Sequence, residues 1–181
     1  RDSVLECIVS PGLDLQHPIL QAMQQRGVTL QGDIELFARH NQKPVVAITG
    51  TNGKSTVTTL VGELLTQAGI RAVVAGNIGL AALDALADDA RNDIYVLELS
   101  SFQLELTHTL APKAATILNI SPDHLDRHGS LDAYTKAKQR VYHRAQFVLY
   151  SRDDKATTPV EYNNLCQNFG LDAPADHAWG I

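Results

Sequence analysis

The run Val45-Val46-Ala47-Ile48-Thr49-Gly50-Thr51-Asn52-Gly53-Lys54-Ser55-Thr56 decides how the rest of the chain is read. An uncharged, mostly apolar stretch predicts a buried strand, Gly50 and Gly53 predict a tight turn, and a helical pattern follows Lys54. Glycines let the backbone curl so that its N–H groups point at phosphate oxygens, and a helix N-terminus adds a favourable partial charge. Lys54 is placed to reach β/γ-phosphates, and the Ser55 hydroxyl to ligate Mg²⁺. Gly50, Thr51, Asn52, Gly53, Lys54, Ser55 and Thr56 are therefore the candidate ATP-binding residues. The general phosphate-loop pattern asks for glycine five residues before Gly53, where this chain has Ile48.

Outward from the loop, short apolar runs alternate with helical patterns, which predicts an α/β fold: a mostly parallel sheet with helices on both faces. Strands are expected at Leu5–Val9, Val28–Leu30, Val45–Thr49, Arg71–Ala75, Ile94–Glu98, Ala115–Ile120 and Phe147–Tyr150. Helices are expected at Pro18–Arg26, Asp33–His40, Ser55–Ala68, Leu80–Leu86 and Leu131–Ala145. The helix after the loop carries Val57, Leu60, Val61, Leu64, Leu65 and Ala68 as an apolar stripe and stops at Gly69. Gln31-Gly32 and Asn41–Pro44 read as linkers; Lys155–Pro159 and Asn163–Ile181 show no clean period, as a surface excursion or a truncated domain would.

In open parallel sheets, ligands bind outside the carboxyl ends of the strands. The residues expected there are polar: Asn77 in Gly76-Asn77-Ile78-Gly79, Glu98 with Ser100 and Gln103 after it, and Asn119 followed by Asp123-His124. Glu98 closes an apolar strand where a nucleotide-hydrolysing sheet places the acid that organises Mg²⁺. In the last helix, Leu131, Tyr134, Val141, Tyr142 and Ala145 share a stripe with Lys138 in its middle. Periodicity alone favours a lysine that snorkels to solvent. The alternative is a buried amine with a lowered pKa, able to take up CO₂ and become an oxygen ligand for Mg²⁺.

The chain has 181 residues, 44 % hydrophobic and 19 % charged, with a formal net charge of −5. That composition describes an ordinary folded domain and argues against disorder. A mildly acidic chain does not attract nucleic acid through its overall field, so an anionic ligand needs local devices. Cys7 and Cys166 make neither a disulfide framework nor a zinc cluster, which fits a reducing cytoplasm. No apolar run approaches the ~18–20 residues that cross a bilayer, and no signal-peptide layout is present. A first residue other than Met, just ahead of a strand pattern, predicts a piece of something longer.

These residues together resemble the Mur ligases of peptidoglycan synthesis. The segments that carry the likeness are Ser10-Pro11-Gly12, Gly32-Asp33-Ile34-Glu35-Leu36-Phe37, the loop Ala47–Thr56, Gly76–Gly79, Leu97–Leu104, Asp123–Arg127 and Tyr134 through Lys138. They follow the family's order and spacing as far as about Asp154, and the missing leading glycine is the family's own form. Gly-Asp-Ile-Glu-Leu-Phe and Ser-Ser-Phe-Gln-Leu point to the member that adds D-glutamate.

The resemblance implies a monomeric, cytoplasmic ATP-dependent ligase joining D-glutamate to UDP-N-acetylmuramoyl-L-alanine through an acyl phosphate. It implies two Mg²⁺ ions, one held by Ser55 and Glu98, the other by His124 and a carbamylated Lys138. Lys54, His124 and Lys138 are the catalytic residues so implied. Asn77, Ser100 and Gln103 are implied to contact the muramoyl-alanine portion, and Ser10 and Gly12 the uridine diphosphate end. Residues 1–32 then close an N-terminal UDP-binding domain, and 33–181 form an incomplete central ATP-binding domain with no third domain after it. Two other readings stay open: a related amide ligase such as a folylpolyglutamate synthetase or another Mur ligase, and a nucleotide-binding module without ligase chemistry.

Overall fold

In the computed structural model, which describes residues 4–88, 90, 92–160, 165–174 and 178–180, the strand before the glycine turn lies inside a seven-stranded sheet. Elements run β1 (Glu6–Ile8), α1 (Pro18–Gln25), β2 (Thr29–Gln31), α2 (Asp33–His40), β3 (Val45–Thr49), α3 (Lys54–Gln67), β4 (Ala72–Gly76) and α4 (Ala82–Ala87). They continue with β5 (Ile94–Glu98), α5 (Ser101–Glu105), β6 (Ala114–Ile117), α6 (Leu125–His128), α7 (Leu131–Gln139), β7 (Phe147–Ser151), β8 (Leu165–Phe169) and β9 (Ala178–Trp179). The large sheet has the order β4-β5-β3-β6-β7-β8-β9 and every pairing is parallel. Between β5 and β6 the chain passes from one side of β3 to the other, which makes the carboxyl end of β3 the switch point where a ligand crevice opens.

Side-chain alternation along the strands sorts the two faces. Val45, Ala47, Tyr95, Leu97, Ala115, Ile117 and Val148 join one large core with Ile34 and Phe37 of α2, Ala82 and Ala85 of α4, and Leu99, Leu104, Val141 and Tyr142. Ile48, Val96 and Glu98 alternate to the opposite face, the side on which α3 lies along β3, β4 and β5. β1 and β2 form a separate two-stranded parallel sheet and share a small core of Val9, Leu20, Leu30 and Leu106. Arg39 of α2 ties this unit to the rest by bridging Glu6, 3.1 Å away, and the buried Glu35.

The expectations for α3 and for the last helix are corrected. The apolar stripe of α3 is only in part its buried face: Thr58 and Gly62 are buried and Val57, Val61 and Leu65 half-buried, whereas Leu60 and Leu64 are 51 % and 55 % exposed. A Cβ at Gly62 would lie 2.5 Å from Val74 Cγ2, so a residue without one lets the helix approach β4. The tail after Asp154, which carries no clean period, is built into the sheet. Lys155–Thr157 is a 3₁₀ turn capped by Asp154, and β8 and β9 extend the parallel sheet, with Phe147 opposite Leu165 and Asn168 opposite Ala178. Within that tail, 161–164, 175–177 and 181 fall outside the described residues. The last helix is also shorter than expected: α7 gives way at Arg140 to a 3₁₀ turn, Arg140–Tyr142, and Leu131 is exposed. Arg140 donates to the carbonyls of Leu104 and Thr107.

The linkers are ordered as well. Gln31 is the buried last residue of β2, Gly32 begins α2, and Lys43 donates to the side chain of Asn92. β6 stops at Ile117, three residues short of expectation, because the chain turns aside there to brace the glycine loop.

Candidate nucleotide and metal site

The glycine loop is held from the side by the segment after β6. Leu118 N donates to Thr49 O and Thr51 N to Asn119 O, both at 2.9 Å. The Asn119 side chain accepts from Asn52 N and donates to Asn52 O, and Ser121 N donates to Thr51 Oγ1. Gly50 (φ +154°) lies so close to this brace that a Cβ would sit 3.1 Å from Leu118 Cβ; Gly53 (φ +76°) takes the left-handed turn into α3. Two of the loop's amides are thus spent on rigidity. Those of Lys54, Ser55 and Thr56 are first-turn donors that an α-helix cannot satisfy internally, the arrangement that suits an anion. Lys54 Nζ rests on the carbonyl of Thr51 at 2.9 Å, a cation folded over its own loop.

Glu98 closes β5 and is buried. Asn77 Nδ2 donates to its Oε1 at 2.8 Å, while Oε2 is buried without a hydrogen-bond partner among the described residues. The close turn that brings Asn77 there requires Gly76 (φ +103°), since a Cβ would lie 2.4 Å from the carbonyl oxygen of Glu98. A buried carboxylate oxygen without a donor is costly, and a divalent cation is the natural remedy. Among the described residues no group of three or more His, Cys, Asp and Glu side chains is placed to hold a metal by itself. An ion here must draw further oxygens from a hydroxyl such as that of Ser55, from phosphate and from water, which is how Mg²⁺ is usually held.

Lys138 does not snorkel: it is 2 % exposed. Its Nζ donates to Thr49 Oγ1 at 3.3 Å, and that hydroxyl in turn donates to Leu99 O at 2.6 Å. The Tyr134 ring lies 4.7 Å from Nζ. Burial, helped by the charge of Lys54, pushes the Lys138 amine down to about 7, although Asp123 and Glu98 pull the other way. A lysine pKa that falls from ~10.4 in the unfolded chain leaves the native state with fewer bound protons between the two values. The stability contributed by this group is therefore complete above about 10.4 and is lost as the pH falls through about 7. We expect an NMR titration of the Lys138 side chain in metal-free protein to show a midpoint near 7. An unperturbed midpoint near ~10.4 would contradict the buried site.

His124 begins α6 in the left-handed conformation (φ +50°), with its ring 5.0 Å from Phe102, 6.4 Å from Tyr134, and Nε2 3.6 Å from Asp123 Oδ2. Sequence reading missed the neighbouring His128. Its Nε2 is 2.9 Å from Ser101 Oγ, its Nδ1 3.5 Å from Glu105, and its ring stacks on Phe102. Burial, with Arg127 nearby, lowers the His128 pKa. The available signal was the spacing of His124 and His128, which puts them on one helical face. Thr49, Tyr134 and Asn119 also acquire roles that only contact reveals.

The remaining candidates are less uniform. Ser100 caps α5, and Gln103 closes the capping box by accepting from Ser100 N at 3.0 Å while donating to Asp33 at 3.3 Å. The polar atoms of Gln103 are thus already engaged within the protein. Ser10 and Gly12 lie in an exposed turn after β1, apart from the large sheet. Arg127 of α6 links that turn to the strand-end edge by donating to Leu13 O and pairing with Asp14 and Glu105. The glycine loop, Lys54, Glu98, Asn77 and Lys138 gather at the switch point, with His124 on its aromatic margin.

Residues 48–179 match the Mur ligase middle domain. The chain is 54 % identical over 98 % of its length to the UDP-N-acetylmuramoylalanine--D-glutamate ligase of Legionella pneumophila (strain Lens), of which it covers 40 %. It spans about two fifths of the length of the curated relatives it matches. Among solved structures it is similar to the UDP-N-acetylmuramate:L-alanyl-gamma-D-glutamyl-meso-diaminopimelate ligase of Neisseria meningitides, with a TM-score of 0.63, 13 % identity, and coverage of 96 % of this chain and 63 % of that one. It is also similar to MurF ligase of Thermotoga maritima in complex with ADP, with a TM-score of 0.59, 16 % identity, and coverage of 90 % and 47 %. At these identities the solved structures speak for the fold.

Proposed function

The chain belongs to the Mur ligase family, and from that premise we propose that it is the ATP-handling core of a cytoplasmic ligase adding D-glutamate to UDP-N-acetylmuramoyl-L-alanine. In this reading residues 33–181 are part of the central domain. Residues 1–32 are the end of a UDP-binding domain, consistent with the separate small sheet of β1 and β2. Ligation then belongs to the full-length enzyme and is not expected of residues 1–181 alone.

A carboxylate does not acylate an amine until its oxygen becomes a good leaving group. Transfer of the γ-phosphoryl of ATP to the carboxylate of the muramoyl-alanine substrate gives an acyl phosphate; the D-glutamate amine attacks the carbonyl carbon, and phosphate leaves. The first-turn amides of α3 cradle the triphosphate, and Lys54 leaves the Thr51 carbonyl to meet the charge on the phosphoryl being transferred. Ser55 and Glu98 would hold one Mg²⁺, with Asn77 orienting the carboxylate of Glu98. His124 and Lys138 would hold a second, once the neutral lysine amine has added to CO₂, losing a proton to give a carbamate. Mg²⁺, when bound, offsets the repulsion between triphosphate and carboxylate. Asn77, Ser100 and Gln103 are placed for the muramoyl-alanine portion, with Gln103 exchanging a bond to Asp33 or Ser100 for one to substrate. Ser10 and Gly12 take the diphosphate end.

The observation that carries the reading is Lys138, a buried amine with a lowered pKa close to Lys54 and Glu98. A simple nucleotide-binding module needs no such group. The test is phosphate release by the full-length enzyme. We expect release only when both UDP-N-acetylmuramoyl-L-alanine and D-glutamate are present. Release independent of both would support a plain nucleotide hydrolase, and release with another amino acid in place of D-glutamate would support a different amide ligase.

A further inference from the structure

We propose that Tyr134 is a positioning residue that holds the phosphate loop and Lys138 in register, a role that rests on the ligase reading above. The side chain is 1 % exposed, so the phenol meets neither solvent nor a large ligand. A buried tyrosine keeps its hydroxyl only where that group finds a partner. Here the partner is Thr51 of the glycine loop, 3.2 Å from Oη. Thr51 is the point at which the loop is tied down: its N–H goes to Asn119 O, and its hydroxyl oxygen accepts from Ser121 N. A hydroxyl fixed to Thr51 is thereby fixed to the loop and to the segment after β6 together.

The same ring faces Lys138. Tyr134 and Lys138 stand four residues apart on α7 and share its inner face, with Nζ 4.7 Å from the ring centre. Lys138 reaches Thr49 on its other side, and Thr49 is the last residue before Gly50. The lysine is thus bounded by the strand that enters the loop and by a ring bonded to the loop itself. The ring has little freedom to turn, because His128 meets it edge-on at 5.2 Å and His128 is itself stacked on Phe102. One stiff side chain sets the distance between the residues that take the triphosphate and the lysine that takes the second metal. Phosphoryl transfer depends on such positioning, and small displacements cost large factors in rate.

The experiment uses two variants of the full-length enzyme. Tyr134→Phe keeps the ring and removes only the bond to Thr51. ADP binding, measured by calorimetry without any turnover, is expected to weaken about three- to tenfold, as the loss of one hydrogen bond allows. KM for ATP should rise by a similar factor while KM for D-glutamate stays unchanged. Tyr134→Leu also removes the ring from Lys138 and is expected to lower kcat itself by more than about tenfold. ADP affinity and both KM values equal to wild type in Tyr134→Phe would overturn the proposal. So would a uniform loss across every constant accompanied by a lower melting temperature. A wild-type enzyme whose phosphate release ignores the two substrates would instead overturn the ligase reading, and the calorimetric comparison would still decide the role of Tyr134.

Discussion

Lys54→Ala in the full-length enzyme is expected to lower phosphate release by about 10²–10³-fold, the cost of removing one well-placed stabilising group from a transition state. The side chain is half-buried at the first position of α3, and among the described residues its Nζ bonds only the carbonyl of Thr51. Alanine is the best helix former, and no buried partner is orphaned by the change, so the melting temperature should hardly move. A second effect follows from the same charge. Lys54 helps keep the Lys138 amine low, so its removal should raise the Lys138 pKa and shift the titration of that group to higher pH. Turnover within about threefold of wild type, with an unshifted Lys138 titration, would refute the phosphate-loop role.

Lys138→Ala is expected to lower turnover by about 10²-fold or more, because in the proposed reading a second cation would lose its ligand from α7. Stability should be nearly preserved, for opposing reasons. Truncation leaves a cavity beside Thr49, which costs stability. It also relieves the cost of burying an amine, and Thr49 keeps its bond to Leu99 O. The cavity gives the variant a diagnostic use. If the working group is a carbamate, a small carboxylate such as acetate should restore part of the activity by occupying the vacated space, and methylamine should not. Rescue by methylamine alone would assign the function to the free amine and remove the carbamate.

Much of the centre was legible in the chain because it is local. Val45–Thr49 and Ile94–Glu98 fall where the apolar runs place them, since strands covered on both faces leave an unbroken apolar signature. The glycine turn and the helix after it follow from backbone geometry over a dozen residues. The same local reasoning misled at α3, where the apolar stripe pointed to Leu60 and Leu64 while contact with β4 selected Thr58 and Gly62. It also missed β8, whose Cys-Gln-Asn centre is polar and whose partner lies on one side only at its start. Near the edge of a sheet, pairing through the backbone forms a strand without an apolar pattern to announce it.

The order of residues alone places a glycine turn between a buried strand and a helix, and brings Asn77, Glu98 and Asn119 to the same edge of the sheet. What those residues are free to do is set by packing between distant parts of the chain. One oxygen of Glu98 is taken by Asn77 and the other has no partner among the described residues; Gln103 is occupied by its own cap; Lys138 is sealed against Thr49 and Tyr134 and loses its ordinary pKa. The division has a physical cause. Torsional preference and apolar periodicity act between near neighbours in the chain. Burial, electrostatic field and hydrogen-bond satisfaction depend on what packs from far away, and Lys138 meets Thr49 across 89 positions.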